Sequence, residues 1–251
     1  MAMTRLRLLT ALVALALPAA RADAAQFTIN PTRLMLSARS TSALLTIQND
    51  GPTPIRLQVT THAWAQSVAG QMELGATEDV VVFPTLLTLQ PGERRKLRVA
   101  VMAPPGDVER SYRVFLEELP PVAAPGSQGV AVQMLTRVGI PVFLQPAKVT
   151  NRAVLGAATF EGAALKFRID NLGTTHFVPD TIHVVGLSAT GETVVDKSVD
   201  GWYVLAGGRR EYDLQLGSAD CGRVRSILLQ FRVGEMAFER RLTTPAGTCI
   251  P

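Results

Sequence analysis

The chain has 251 residues, 47% of them hydrophobic and 18% charged, with 20 Gly, 16 Pro and two Cys. That length suits one large domain or two of about 100–150 residues, either able to bury a core. The composition is too apolar for disorder, lacks the glycine period of collagen, and holds too few cysteines for a disulfide-dense miniprotein or a four-cysteine zinc site.

The first 24 residues read as a cleavable secretory signal peptide. Arg5 and Arg7 precede the apolar run Leu8–Leu17, and Ala22-Asp23-Ala24 supplies a small-x-small cleavage site. The run is too short for a bilayer span, which needs ~20 apolar residues. Three of the 25 basic and one of the 21 acidic residues fall inside the leader, so the chain from residue 25 onward carries a net charge of about +2. Such a balance is no nucleic-acid signature. No second long apolar run follows, so membrane insertion is not expected. Export implies an oxidising compartment, where Cys221 and Cys249 are expected to form one disulfide. Their separation of 28 positions suits zinc poorly.

Beyond the leader the pattern is strand after strand. Ile55, Leu57, Val59 and Ala63 share one face of 55–64, and 96–101 and 165–169 alternate in the same way. Strands are predicted over 26–36, 42–49, 55–64, 83–89, 93–101, 111–118 and a long 130–144. A second set covers 153–160, 165–170, 181–187, 193–199, 211–216, 224–233 and 236–242. Turn residues separate them, among them Asn49-Asp50-Gly51-Pro52 and Asn171-Leu172-Gly173. No amphipathic helix of twelve residues is found. Short strands with a turn every 8–12 residues give an all-β protein of two tandem immunoglobulin-like sandwiches, 25–144 and 147–251.

Catalytic and metal chemistry find little support. The three histidines stand in no metal-ligand spacing: His62 falls on the polar face of its strand, and His176 and His183 are seven apart with a proline between. No phosphate loop, nucleophile elbow or His-Glu-x-x-His occurs. A non-enzyme with neither metal nor cofactor is the expectation.

The long segment ending the first half stands out. Val130, Val132, Met134 and Val138 share one face, and Leu135 shares the other with Ala131, Gln133 and Arg137. A strand of that length and apolarity is an aggregation hazard unless a partner covers it. Ahead of it, 119–128 has a loop-like composition rich in proline and alanine.

Here the sequence resembles the periplasmic chaperones of the chaperone–usher pathway, which assembles pili and related surface fibres. The matching segments are Asn30–Ser37, Leu45–Asn49, Leu89–Glu93, Leu97–Val99, Tyr112–Pro120 and Ile140–Phe143, in the family's order and across nearly all of domain one. Domain two matches mainly in size, strand pattern and Asn171-Leu172-Gly173. The Pro31-Thr32-Arg33-Leu34 start and Pro141-Val142-Phe143 look most like the archaic branch, which serves spore-coat-type or Csu-like pili.

The resemblance implies a periplasmic location and two sandwiches set at an angle, boomerang fashion, with a subunit-binding cleft between them. The last strand of domain one completes a pilin subunit lacking its own final strand, main-chain bonds supplying affinity and alternate side chains filling pockets. Carried onto this chain, Val130, Val132 and Met134 enter the subunit's groove, each worth roughly 1.5–3 kcal/mol in a dry pocket. The family anchors the subunit's terminal carboxylate on cleft cations. Arg33 matches the first. Pro141 occupies the place of the classical lysine, so Arg137 and Arg98 are the candidate substitutes. Gln145 likewise replaces an arginine of the classical interdomain salt bridge. The implied partners are pilin subunits and an outer-membrane usher, with no nucleotide, and the open edge makes weak self-association an expectation. A competing reading is an exported two-domain adhesin or carbohydrate-binding module, which calls for an exposed aromatic platform; aromatics are 6% of the chain, with Trp64 and Trp202 apart.

Overall fold

The computed structural model describes residues 27–120, 134–217 and 221–244, and all that follows concerns these. The first half holds β1 (Phe27–Asn30), β2 (Leu34–Leu36), β3 (Ser42–Asn49), β4 (Ile55–Gln66), β5 (Met72–Gly75), β6 (Val80–Phe83), β7 (Leu86–Leu89), β8 (Arg94–Val101), β9 (Arg110–Glu118) and β10 (Arg137–Leu144). The second holds β11 (Ala153–Glu161), β12 (Ala164–Asn171), β13 (Ile182–Leu187), β14 (Thr193–Val199), β15 (Arg209–Gln215), β16 (Ser226–Val233) and β17 (Met236–Thr243).

Each half is a two-sheet sandwich. In the first, the sheet β1-β3-β8-β6 faces β2-β10-β9-β4-β5, with β7 also pairing β4. Leu45, Ile47, Leu57, Leu97, Val99, Val114, Leu116, Val142 and Leu144, none accessible to solvent, fill the space between. In the second, β11-β12-β15 faces β14-β13-β16-β17 around Leu165, Ile169, Ile182, Val184, Ile227 and Leu229. The period-two patterns place these residues inward, on the facing sides of the two sheets.

Three strands differ from expectation. The stretch 26–36 divides into β1, which pairs with β3, and β2, which pairs with β10 in the opposite sheet. The stretch 83–89 holds only the last residue of β6, which pairs with β8 and begins three residues earlier at Val80, and then β7, which pairs with β4. Pro31 and Pro84 sit at the two crossings, where the missing N–H interrupts a ladder and lets the chain change sheets. The third is the long strand 130–144: β10 begins at Arg137, Met134–Thr136 lie outside any strand, and 121–133 fall outside the described residues. β5, which no alternation announces, is a short exposed edge.

Both sandwiches repeat one device. Asn49 and Asn171, fully buried, close β3 and β12. Each side-chain amide donates to two backbone carbonyls, of Thr53 and Leu89 in one case and Thr175 and Val204 in the other. Each Oδ1 accepts the amide two residues on, Gly51 or Gly173. In the second core Cys221 is buried and disulfide-bonded, while Cys249 lies outside the described residues.

Candidate functional site

The outer face of the sheet β2-β10-β9-β4-β5 is built in rows. Across β4, β9 and β10 the register aligns Gln58, Glu117 and Arg137; then Thr60, Phe115 and Gly139; then His62, Arg113 and Pro141. These residues point away from the core because Val59, Ala63, Tyr112, Val114, Ile140 and Val142 point into it. Phe143, buried, ends the face among Trp64, Tyr203 and Leu205, and the last two come from domain two. The domains also meet through polar ties. Gln66 Nε2 donates to the Tyr203 carbonyl at 2.7 Å, the Leu205 amide donates to Gln66 Oε1 at 2.8 Å, and Arg210 Nη1 donates to the Gly70 carbonyl at 2.9 Å.

Arg113 is the residue that sequence reasoning missed. It is only 7% exposed, with its guanidinium 3.8 Å from the Trp64 ring centroid and 5.6 Å from that of Tyr203. Nη1 donates to the Gly139 carbonyl at 3.2 Å, while Nε is buried without a partner. Burial pulls its pKa below the usual arginine range. Two other buried polar atoms on this face lack partners, Trp64 Nε1 and Thr60 Oγ1. Among the described residues no carboxylate forms an ion pair with Arg113 or with Arg33. The signal in the sequence is an arginine inside Tyr112-Arg113-Val114-Phe115-Leu116, where a solvated cation would be flanked by polar neighbours.

The other candidates scatter. Arg33 is exposed and immediately precedes β2; the parallel pair Leu34–Val142 puts it level with Pro141, hence beside the Arg113 row. Arg137 is half-exposed, bound to Glu117 at 2.6 Å and set over Phe115 at 4.0 Å. Such a solvated pair contributes about 0–1 kcal/mol. Arg98 lies on β8 in the opposite sheet, donating to Ser42 Oγ, and does not join them. Met134 is 68% exposed and Leu135 46%; Val130 and Val132 lie outside the described residues. His62, expected in solvent, is half-buried with its ring edge-on to Phe115. A Cβ on Gly139 would stand 2.7 Å from the Phe115 ring, so glycine is what lets that ring lie on β10.

β10 is open along part of one side. It pairs with β9 over its full length, but β2 covers only Val142–Leu144. Because the Glu118 amide donates to the Thr136 carbonyl, the even positions of β10 bond β9 and the odd ones face the other way. Arg137 and Gly139 therefore turn their main-chain groups toward an edge with no strand partner among the described residues, and Pro141 takes an odd position, where its missing N–H costs the β9 ladder nothing.

Residues 26–150 match the model of the family described as pili and flagellar-assembly chaperone, PapD N-terminal domain. The chain belongs to the pilus-assembly chaperones. No curated protein matches this chaperone by sequence. Among solved structures it resembles a chain of the CsuC–CsuE chaperone–tip adhesion subunit pre-assembly complex from the archaic chaperone–usher Csu pili of Acinetobacter baumannii. The identity is 16% and the TM-score 0.61, over 86% of this chain and 98% of that one. It also resembles a chain of the Salmonella enterica SafA pilin–SafB chaperone complex, at 16% identity and TM-score 0.53 over 88% and 98%. The E. coli chaperone DraB matches at 19% identity and TM-score 0.53, over 87% and 97%. At these identities the likeness establishes the two-domain fold.

Proposed function

We propose that this chaperone acts in the periplasm by lending the segment leading into β10 to a pilin subunit, and then passes the subunit to an outer-membrane usher. The observation that carries the reading is the coincidence of β10's open edge with a buried, unneutralised arginine. An edge without a strand partner invites strand addition; here the Gly139 carbonyl already accepts from Arg113 Nη1. A buried cation with no counter-ion is costly unless an anion arrives. Val130, Val132 and Met134 supply the apolar contacts; Met134, the one of them among the described residues, is exposed. Arg33 and Arg113, level with one another, hold the subunit's terminal carboxylate; Arg137 joins only by releasing Glu117, and Arg98 has no part. Cleavage after Ala24 delivers the chain to the periplasm. The archaic branch fits best, supported by the start at Pro31–Leu34 and by the fold of the Csu chaperone complex.

The test is isolation of the tagged mature chain from its native periplasm. A small β-rich subunit at near 1:1, identified by mass spectrometry and lost with V132D/M134D while the circular dichroism spectrum is retained, is the expected result. A partnerless chain, in cells demonstrably making fibre subunits, would overturn it in favour of the binding-module reading. That alternative is weakened by Trp64, which is buried at the domain junction rather than displayed. We also pair Cys221 with Cys249. Reduction is then expected to lower the stability of domain two by about 2–4 kcal/mol, and a non-reducing peptide map should contain the linked fragment.

A further inference from the structure

The ladder between β9 and β10 ends on a side chain. Beyond the paired residues Glu117 and Arg137, the next rung joins Glu118 to Thr136. A closed antiparallel rung of this kind carries two main-chain bonds. Here the Glu118 amide donates to the Thr136 carbonyl at 2.9 Å, but the Thr136 amide donates to Glu118 Oε2, at 3.1 Å, instead of to the Glu118 carbonyl. Counting on by two, the following rung would join 120 to 134, and Pro120 has no amide to give. The Leu119 amide, between them, is committed to the Arg56 carbonyl of β4 at 2.8 Å. At this point the chain passes from Val138, packed on the core, to Met134, which is 68% exposed. Among the described residues no cation pairs with Glu118, so its carboxylate is left to the Thr136 amide.

We propose that Glu118 is the positioning residue that ends the chaperone's own ladder at Thr136 and holds the root of the segment lent to the subunit; this deepens the capture reading above and rests on it. A carboxylate accepts a main-chain amide more strongly than a neutral carbonyl does, so Thr136 stays on the sandwich when the residues ahead of it leave. Had the ladder run on through 120 and 134, a subunit would first have to strip Met134 from β9. With the carboxylate on one side of the rung and the proline after it, β9 makes no such claim. Strand addition then starts from a residue already ordered, whose ordering the subunit does not have to drive.

Hydrogen exchange of the mature chain, read residue by residue by NMR, tests the rung beside titration with purified subunit. In the wild type the Thr136 amide should be protected and those of Leu135 and Met134 should not. In E118A the Thr136 amide should exchange about tenfold faster and the subunit should bind about tenfold more weakly, as expected for losing one hydrogen bond to a charged group. The Val138 amide, one rung inside, should keep its protection, which a general loosening of the sandwich would not allow. E118Q keeps an acceptor oxygen at the same reach and should recover most of both losses. Protection of Met134 equal to that of Thr136 in the wild type would overturn the assignment. So would unaltered exchange or capture in E118A, or losses that E118Q does not recover. Should E118A fail to fold, the wild-type exchange pattern and E118Q decide. The exchange is measured without subunit, so its failure is distinct from failure of capture.

Discussion

Replacing Arg113 by methionine is expected to weaken subunit capture by roughly two to three orders of magnitude and to leave thermal stability almost unchanged. The loss follows from removing one side of a desolvated charge pair, which costs about 2–5 kcal/mol, with each ~1.4 kcal/mol a factor of ten. The stability result follows from terms that offset. Methionine forfeits the stacking over Trp64, about 0.5–2 kcal/mol, and one hydrogen bond to Gly139 of about 1 kcal/mol. It also removes a cation buried without a counter-ion and an Nε left without a partner, the latter worth about 1–3 kcal/mol. The net should lie within about 1 kcal/mol of zero. Titration of purified subunit into both proteins, with a calorimetric melt of each, checks both halves. A variant that captures normally would remove Arg113 from the carboxylate site, and one that melts far lower would make it a structural residue.

Gly201→Ala should unfold domain two at a markedly lower temperature. A Cβ built on Gly201 meets the Pro179 carbonyl oxygen at 1.7 Å and that of Asp180 at 2.9 Å, both main-chain atoms that cannot rotate aside. The Asp180 amide meanwhile donates to the Arg232 carbonyl, so moving that segment disturbs β16 as well. A cost of about 3 kcal/mol or more is expected, lowering the domain-two transition by roughly 10 °C. Gly222, with open space around its Cβ position, is the control: Gly222→Ala should stay within about 0.5 kcal/mol of wild type. Calorimetry of the two variants separates a local clash from a general intolerance of alanine.

Period-two alternation made the fold class legible, because a half-buried strand must alternate; the strands of both cores lie close to where Leu45, Leu57, Leu97 and Ile169 place them. What alternation could not reveal was a change of sheet within one apolar run. Phe27 to Leu36 reads as continuous because apolar residues on each side of Pro31 turn inward, Phe27 and Ile29 half-buried and Leu34 and Leu36 fully, though against different neighbours. The cleft was legible only in outline. Arg33, named from the segment around it, lies level with Pro141, whereas Arg98, named alongside it, stands in the opposite sheet. Arg113 depends on residues far apart in the chain, Trp64 and Tyr203, meeting around its guanidinium, and no local pattern encodes such a meeting.

Pro141 has a consequence for length measurement. A strand added along β10 can zip past Arg137 and Gly139, but it finds no amide at Pro141 and, one residue later, an edge already taken by Leu34. Its ladder runs out level with Arg33 and Arg113. A polypeptide that simply continued would drive an uncharged peptide bond against two cations. One that ends there delivers a carboxylate to them. On the proposed reading, the imino acid and the arginines together make a ruler that tells the finished end of a chain from its middle.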